Sequence, residues 1–179
     1  MLKKFARTMA YIGGIATGFY LFASAPGIHK KTKWQHLTGW DYAHRGLYDN
    51  EHGIPENSMA AFRRAVDKGY GIELDVHLTA DNQLVVFHDD TLTRMCGMNK
   101  KISSFLYSDL MQLRLLGTEE GIPLFKDVLE LIDGKVPLII ELKVDGSNQN
   151  LLCPLVWQLL SRYKGDYCIE SFHPFVLQW

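Results

Sequence analysis

The sequence predicts an α/β fold, a parallel βα-barrel, and three observations lead there. First, five short apolar runs, at residues 42–45, 71–76, 83–88, 138–141 and 167–171, alternate with stretches whose apolar residues recur at helical spacing. Runs that are apolar nearly throughout, separated by helices, indicate a parallel sheet whose crossovers those helices supply. Second, every run ends in polar or ionisable residues: His44-Arg45-Gly46, Glu73-Leu74-Asp75, His88-Asp89-Asp90, Glu141-Leu142-Lys143 and Glu170-Ser171. In parallel α/β folds that edge of the sheet is where ligands bind. Third, the side-chain period of a strand is two, so Glu73 and Asp75 share one face and Leu74 and Val76 the other, while Glu141 and Lys143 lie opposite Leu142. A charged face turned to a lumen and an apolar face turned to helices suit a barrel.

Residues 1–26 begin with Lys3, Lys4 and Arg7 and continue without charge from Thr8 to Pro26, about the length that spans a bilayer. This is an N-terminal membrane anchor or signal segment. Ala23-Ser24-Ala25 resembles a cleavage site, but Pro26 directly after it disfavours cleavage, so the expectation is a single-pass anchor. Lys30, Lys31 and Lys33 beyond the apolar stretch balance the basic residues before it, leaving the side of the membrane open. Residues 27–40 read as a juxtamembrane linker. After the first strand, Ser58 or Asn57 caps a helix over residues 58–68, whose Met59, Phe62, Ala65 and Val66 fall on one face, and Gly69 ends it. Asp81-Asn82 makes the turn between the second and third strands. Further helices are expected over 108–116, 124–132 and 151–163.

Composition bounds the rest. The chain has 179 residues, enough for one domain, and a net charge of −1 that gives no sign of a nucleic-acid surface. Cys96, Cys153 and Cys168 form no CxxC pair and no Cys/His cluster, so zinc is not expected and reduced, largely buried thiols are.

The strand-end residues define a chemistry. Glu73, Asp75 and Glu141 can converge on one point as hard oxygen ligands, suited to Mg²⁺ or Ca²⁺. His44 and His88 can act as base and acid near neutral pH, and Asp89 could orient His88. Arg45 and Lys143 can hold an anionic oxygen. Together these describe phosphoryl chemistry. His77 and His173 read as surface or core residues with satisfied hydrogen bonds. No role is assigned to His29, His36 or His52.

Four segments, Tyr42-Ala43-His44-Arg45-Gly46-Leu47, Pro55-Glu56-Asn57-Ser58 with Ala61-Phe62, Gly71 through Thr79, and Leu84-Val85-Val86-Phe87-His88-Asp89, closely resemble the glycerophosphodiester phosphodiesterase family. Ile140-Glu141-Leu142-Lys143 and Glu170-Ser171-Phe172 fit its later strands. The resemblance implies a TIM barrel of the phospholipase-C-like phosphodiesterase type over residues 41–179. It implies hydrolysis of glycerophosphodiesters to glycerol 3-phosphate and an alcohol with a divalent metal. By motif, His44 and His88 are the acid/base pair and Glu73, Asp75 and Glu141 the metal ligands. Arg45 and Lys143 contact phosphate, and Glu56 and Asn57 line or brace the site. Alternatives are a lysophospholipase D or phospholipase-like relative acting on larger lipids, and an inactive remnant. A TIM barrel has eight strands and typically ~250 residues. The expectation is therefore a partial domain, incomplete after its fifth strand, with open edges at the first and fifth strands.

Overall fold

The computed structural model describes residues 35–176, together with Gly14 and Gly18, which are helical and exposed. The expected anchor and most of the linker lie outside the described residues. Among the described residues no helix is long and apolar enough to cross a membrane. The chain divides into two compact units, Met1–Trp34 and Gln35–Trp179, and the sheet with its covering helices belongs to the second.

Strand β1, Tyr42–His44, leads through a turn-rich loop to helix α1, Met59–Lys68. The Ser58 hydroxyl accepts from the Ala61 N–H at 3.1 Å and donates to the Pro55 carbonyl at 2.6 Å, which fixes the start of α1. Gly69, in the left-handed conformation, ends it and returns its N–H to the last turn. Strand β2, Gly71–Leu78, is buried along all eight residues. It forms a hairpin with β3, Leu84–Val86, and a long connection leads on from there with two single-turn helices, α2 (Thr93–Cys96) and α3 (Tyr107–Leu110). Helix α4, Phe125–Ile132, precedes β4, Leu138–Leu142; helix α5, Gln149–Leu160, precedes β5, Tyr167–Glu170.

The parallel sheet runs β1-β2-β4-β5, with Ala43 opposite Ile72, Asp75 opposite Glu141 and Glu141 opposite Glu170. Two expectations are corrected here. The run at 83–88 is not a parallel strand: β3 pairs antiparallel with β2, Val76 opposite Val86 and Leu78 opposite Leu84. The residues between β2 and β3 are too few for a crossover, and Asn82 takes a left-handed conformation with φ 61° to close the hairpin. The parallel sheet therefore has four strands among the described residues instead of five, with β1 and β5 at its edges, and it is not closed into a barrel. The helix expected over 108–116 is also shorter, because after Leu110 the chain passes through single-turn 3-10 structure around Leu115, with Leu116 at φ 50°.

Period-two alternation divides the sheet as the sequence implies. Ile72, Leu74, Val76, Leu138, Ile140 and Leu142 pack with Phe62, Phe125, Val128 and Ile132 of the covering helices in one core. A second core, built from Val85, Phe87, Leu92, Met95, Ile102, Leu110, Leu115 and Ile122, holds the connection after β3 together. Cys96, Cys153 and Cys168 are free thiols, and burial pushes Cys96 up to about 11.

Candidate active site

The His44-Arg45-Gly46 turn reverses the chain as soon as β1 ends. Arg45 sits at φ 59° and Gly46 at φ 80°, and the Gly46 N–H donates to the Ala43 carbonyl at 3.1 Å. That reversal aims the Arg45 backbone N–H at Glu73 Oε2, 3.0 Å away. A Cβ on Gly46 would lie 2.9 Å from the Ala61 Cβ and 3.0 Å from its carbonyl carbon, in a backbone region costly for an L side chain. Gly46→Ala is accordingly expected to cost ~1–3 kcal/mol and to lower activity by shifting His44; chemical denaturation checks the first and a turnover assay the second.

Glu73, Asp75 and Glu141 are buried, and ligand atoms from all three lie within 4.8 Å of one another. The parallel register produces this: Asp75 faces Glu141 across β2 and β4, and Glu73 stands two residues before Asp75 on the same face. Lys143 Nζ lies 2.7 Å from Glu141 Oε2 and 3.0 Å from Asp75 Oδ1. Burial opposes its charge, but the two carboxylates prevail and hold the amine above its usual range. Asn57, at φ 53°, donates from Nδ2 to Asp75 Oδ2 at 2.9 Å. Burial, and then the charge of Asp75, pushes Glu73 up to about 7. Glu170, opposite Glu141 in register, is also raised, by burial and then by Glu141 and Asp75.

The donor set fits a divalent cation. Its oxygens are hard, its carboxylates outnumber the cation between them, and buried polar atoms are left over. Among the described residues Asn57 Oδ1 and Arg45 Nε find no hydrogen-bond partner, and Asp75 Oδ1 has only the ion pair with Lys143. Unpaired buried polar groups call for an explanation, and a bound ion or anion is one that fits here. Glu73, Asp75 and Glu141 can hold a metal ion.

The segments that carry the two histidines both run along one edge of β2. β1 climbs that edge and ends at His44, opposite Glu73. β3 descends it, and beyond Val86 the Phe87 N–H donates to the Asp75 carbonyl. So the hairpin, whose sequence pattern is that of a rising strand, delivers His88 from the opposite direction. His44 Nε2 is 3.8 Å from Glu73 Oε2. His88 Nδ1 lies 2.7 Å from Asp89 Oδ1, in line with the sequence expectation. Buried His77 places Nε2 3.2 Å from the His88 carbonyl, whereas His173 Nδ1 is buried without a partner, contrary to expectation.

Arg45 and Glu56, expected at the phosphate and at the site wall, pair with each other: Nη1 donates to Glu56 Oε1 at 2.8 Å. Arg94, which the sequence does not single out, donates to both oxygens of Glu56 at 2.8 and 2.7 Å and to both oxygens of Asp89 at 2.8 and 2.9 Å. Burial works against Glu56, but these guanidiniums bring its carboxyl down to about 2; Asp89 is likewise brought to about 2 by Arg94 and His88. No local signal marks Arg94, which lies 38 residues from Glu56. Glu170 had one, a carboxylate at a strand end.

The sequence model of the glycerophosphoryl diester phosphodiesterase family matches residues 44–162. The chain belongs to this family. Among relatives, it is 32% identical over 172 residues to lysophospholipase D GDPD1 of Rattus norvegicus, covering 89% of this chain and 52% of that protein. It is 37% identical over 113 residues to a glycerophosphodiester phosphodiesterase of Bacillus altitudinis, covering 59% of this chain and 45% of the other. The chain thus spans about half the length of the curated relatives it matches. In structure it is similar to a phosphodiesterase of Oleispira antarctica in complex with the product sn-glycerol-3-phosphate, with a TM-score of 0.71, 27% identity, and coverage of 79% of this chain and 61% of that one. A glycerophosphodiester phosphodiesterase from Parabacteroides distasonis superposes with a TM-score of 0.66 at 33% identity, over 76% of this chain and 58% of its own.

Proposed function

We propose that this chain carries the acid/base and metal-binding half of a hydrolase that splits glycerophosphodiesters into glycerol 3-phosphate and an alcohol. The observation that carries the reading is the buried Glu73–Asp75–Glu141 cluster with His44 at its rim. Mg²⁺ or Ca²⁺ bound there would stabilise negative charge on the phosphoryl group. The residues of this chain do the rest. One histidine takes a proton from the attacking water, or from the neighbouring glycerol hydroxyl, and the other returns a proton to the departing alkoxide, so that the P–O bond to the leaving alcohol breaks as the new one forms; on the hydroxyl route the cyclic phosphate that results is opened by water to glycerol 3-phosphate. Asp89 accepts from His88 Nδ1, which leaves Nε2 of that ring for the reacting oxygen. Arg45 and Lys143 supply fixed positive charge for phosphate oxygens. Glu56 and Asn57 brace the site by holding Arg45 and Asp75. Residues 1–26 would hold this domain at a membrane, with 27–40 as linker.

A second reading, hydrolysis of lysophospholipids, is favoured by the similarity to lysophospholipase D GDPD1 over most of this chain. One experiment separates the two. The full chain in detergent is given glycerophosphocholine, glycerophosphoethanolamine or lysophosphatidylcholine, with Mg²⁺, Ca²⁺ or chelator. Release of glycerol 3-phosphate from the first two, abolished by chelator, supports the main reading. Choline release from the lysolipid alone supports the second. No release from any substrate overturns both for this chain.

A further inference from the structure

We propose that Arg94 is a positioning residue that locks His88 through Asp89 and, by sharing Glu56 with Arg45, couples that lock to the turn carrying His44. The proposal rests on reading the two histidines as the proton-transferring pair. The geometry is a continuous chain of charge-assisted bonds. His88 Nδ1 meets Asp89 Oδ1 at 2.7 Å. Arg94 grips Asp89 through Nε at 2.8 Å and Nη2 at 2.9 Å. The same guanidinium grips Glu56 through Nη1 at 2.8 Å and Nη2 at 2.7 Å. Glu56 accepts from Arg45 Nη1 at 2.8 Å and is held at its own backbone, where its N–H donates to Asn50 Oδ1 at 3.0 Å. Arg45 comes directly after His44 and carries the backbone N–H that fixes Glu73.

Each link needs the residue type it has. A guanidinium presents donors along two edges of a planar fork and can hold two carboxylates bidentately at once. Lysine, a single flexible point charge, cannot. Asp89 is adjacent to His88, so its carboxylate could swing into solvent; the bidentate grip of Arg94 leaves it one orientation, the one that accepts from Nδ1. Glu56 is nearly fully buried, and two guanidiniums are what keep a buried carboxylate ionised there. Arg94 itself makes no hydrogen bond to the carboxylate cluster or to either imidazole, so its effect on chemistry passes through Asp89 and Arg45.

The test is the protonation pattern of the His88 ring, read by ¹⁵N-resolved NMR of the full chain and assigned with His88→Gln. In the wild type His88 is expected as a single tautomer with the proton on Nδ1. In Arg94→Gln, and in the isosteric Asp89→Asn, the ring is expected to lose that preference. Turnover should fall ~10- to 100-fold with KM changed less than ~2-fold, and Arg94→Lys should not restore it. Thermal melting shows whether each variant is folded, and Asp89→Asn carries the test if Arg94→Gln is not. An unchanged His88 tautomer in both variants overturns the proposal, as does full turnover in Arg94→Lys. If the wild type releases no glycerol 3-phosphate, the functional reading fails, while the tautomer still decides the positioning.

Discussion

Alanine in place of His44 or of His88 is expected to lower glycerol 3-phosphate release by ~10²–10⁴-fold, the range that separates a positioned general acid or base from none. The losses should come with little change in stability. The His44 side chain is 66% exposed and makes one long contact to Glu73, and His88 is held chiefly by its neighbour Asp89. The double variant should be scarcely worse than either single one, because two groups serving one proton circuit fail together. Steady-state kinetics beside a melting curve decides the matter: a folded His44→Ala protein with full turnover would remove His44 from the chemistry.

The second large effect is on stability, and its sign is unusual for a carboxylate. Glu73 has an ordinary value of 4.5 and is raised to about 7 by burial and by Asp75. A group whose value is raised in the folded state favours folding fully below its unfolded value and loses that contribution as pH rises through the folded one. The contribution of Glu73 to the stability of the metal-free protein, on the order of 3 kcal/mol, should therefore be lost as pH climbs from about 4.5 past 7. Glu56 works the other way. It falls from 4.5 to about 2, so its contribution is present above 4.5 and disappears as pH drops toward 2. Glu73→Gln should shrink the decline on the neutral side, to which Glu170, raised by burial and by Glu141, also contributes. Saturating Mg²⁺ or Ca²⁺ should do the same by giving the ionised carboxylate a partner. Urea titrations at several pH values, with and without metal, test this; a metal-free protein more stable at neutral pH than at mildly acidic pH contradicts it.

Much of the site was legible because strand geometry is simple. Period two places Glu73 with Asp75 and Glu141 with Lys143, and parallel pairing needs only one register to bring the sets together. The start of α1 at Ser58 and its end at Gly69 could be read from capping chemistry alone. What escaped was set by tertiary contact. The run before His88 is as apolar as a parallel strand, and the hairpin is betrayed by the shortness of its connection to β2 and by the Asp81-Asn82 turn within it. Arg94 lies in a connection with no periodic pattern, and its partners Glu56 and Asp89 come from different parts of the chain. Asn57 is a residue type that tolerates the left-handed conformation, whereas that of Arg45 accompanies a tertiary contact, its backbone N–H donating to Glu73.

The second hydrophobic core has a thermal consequence. His88, Asp89 and Arg94 belong to the connection organised by Val85, Phe87, Leu92 and Met95, whereas the carboxylates belong to the sheet. Packed separately, the two can open at different temperatures. On warming, the smaller unit would melt first and carry one end of the proton circuit away, while the cation-binding oxygens stayed assembled. Turnover would then fade at temperatures where Glu73, Asp75 and Glu141 could still take up added Mg²⁺, which metal-binding and activity assays on one temperature series would compare.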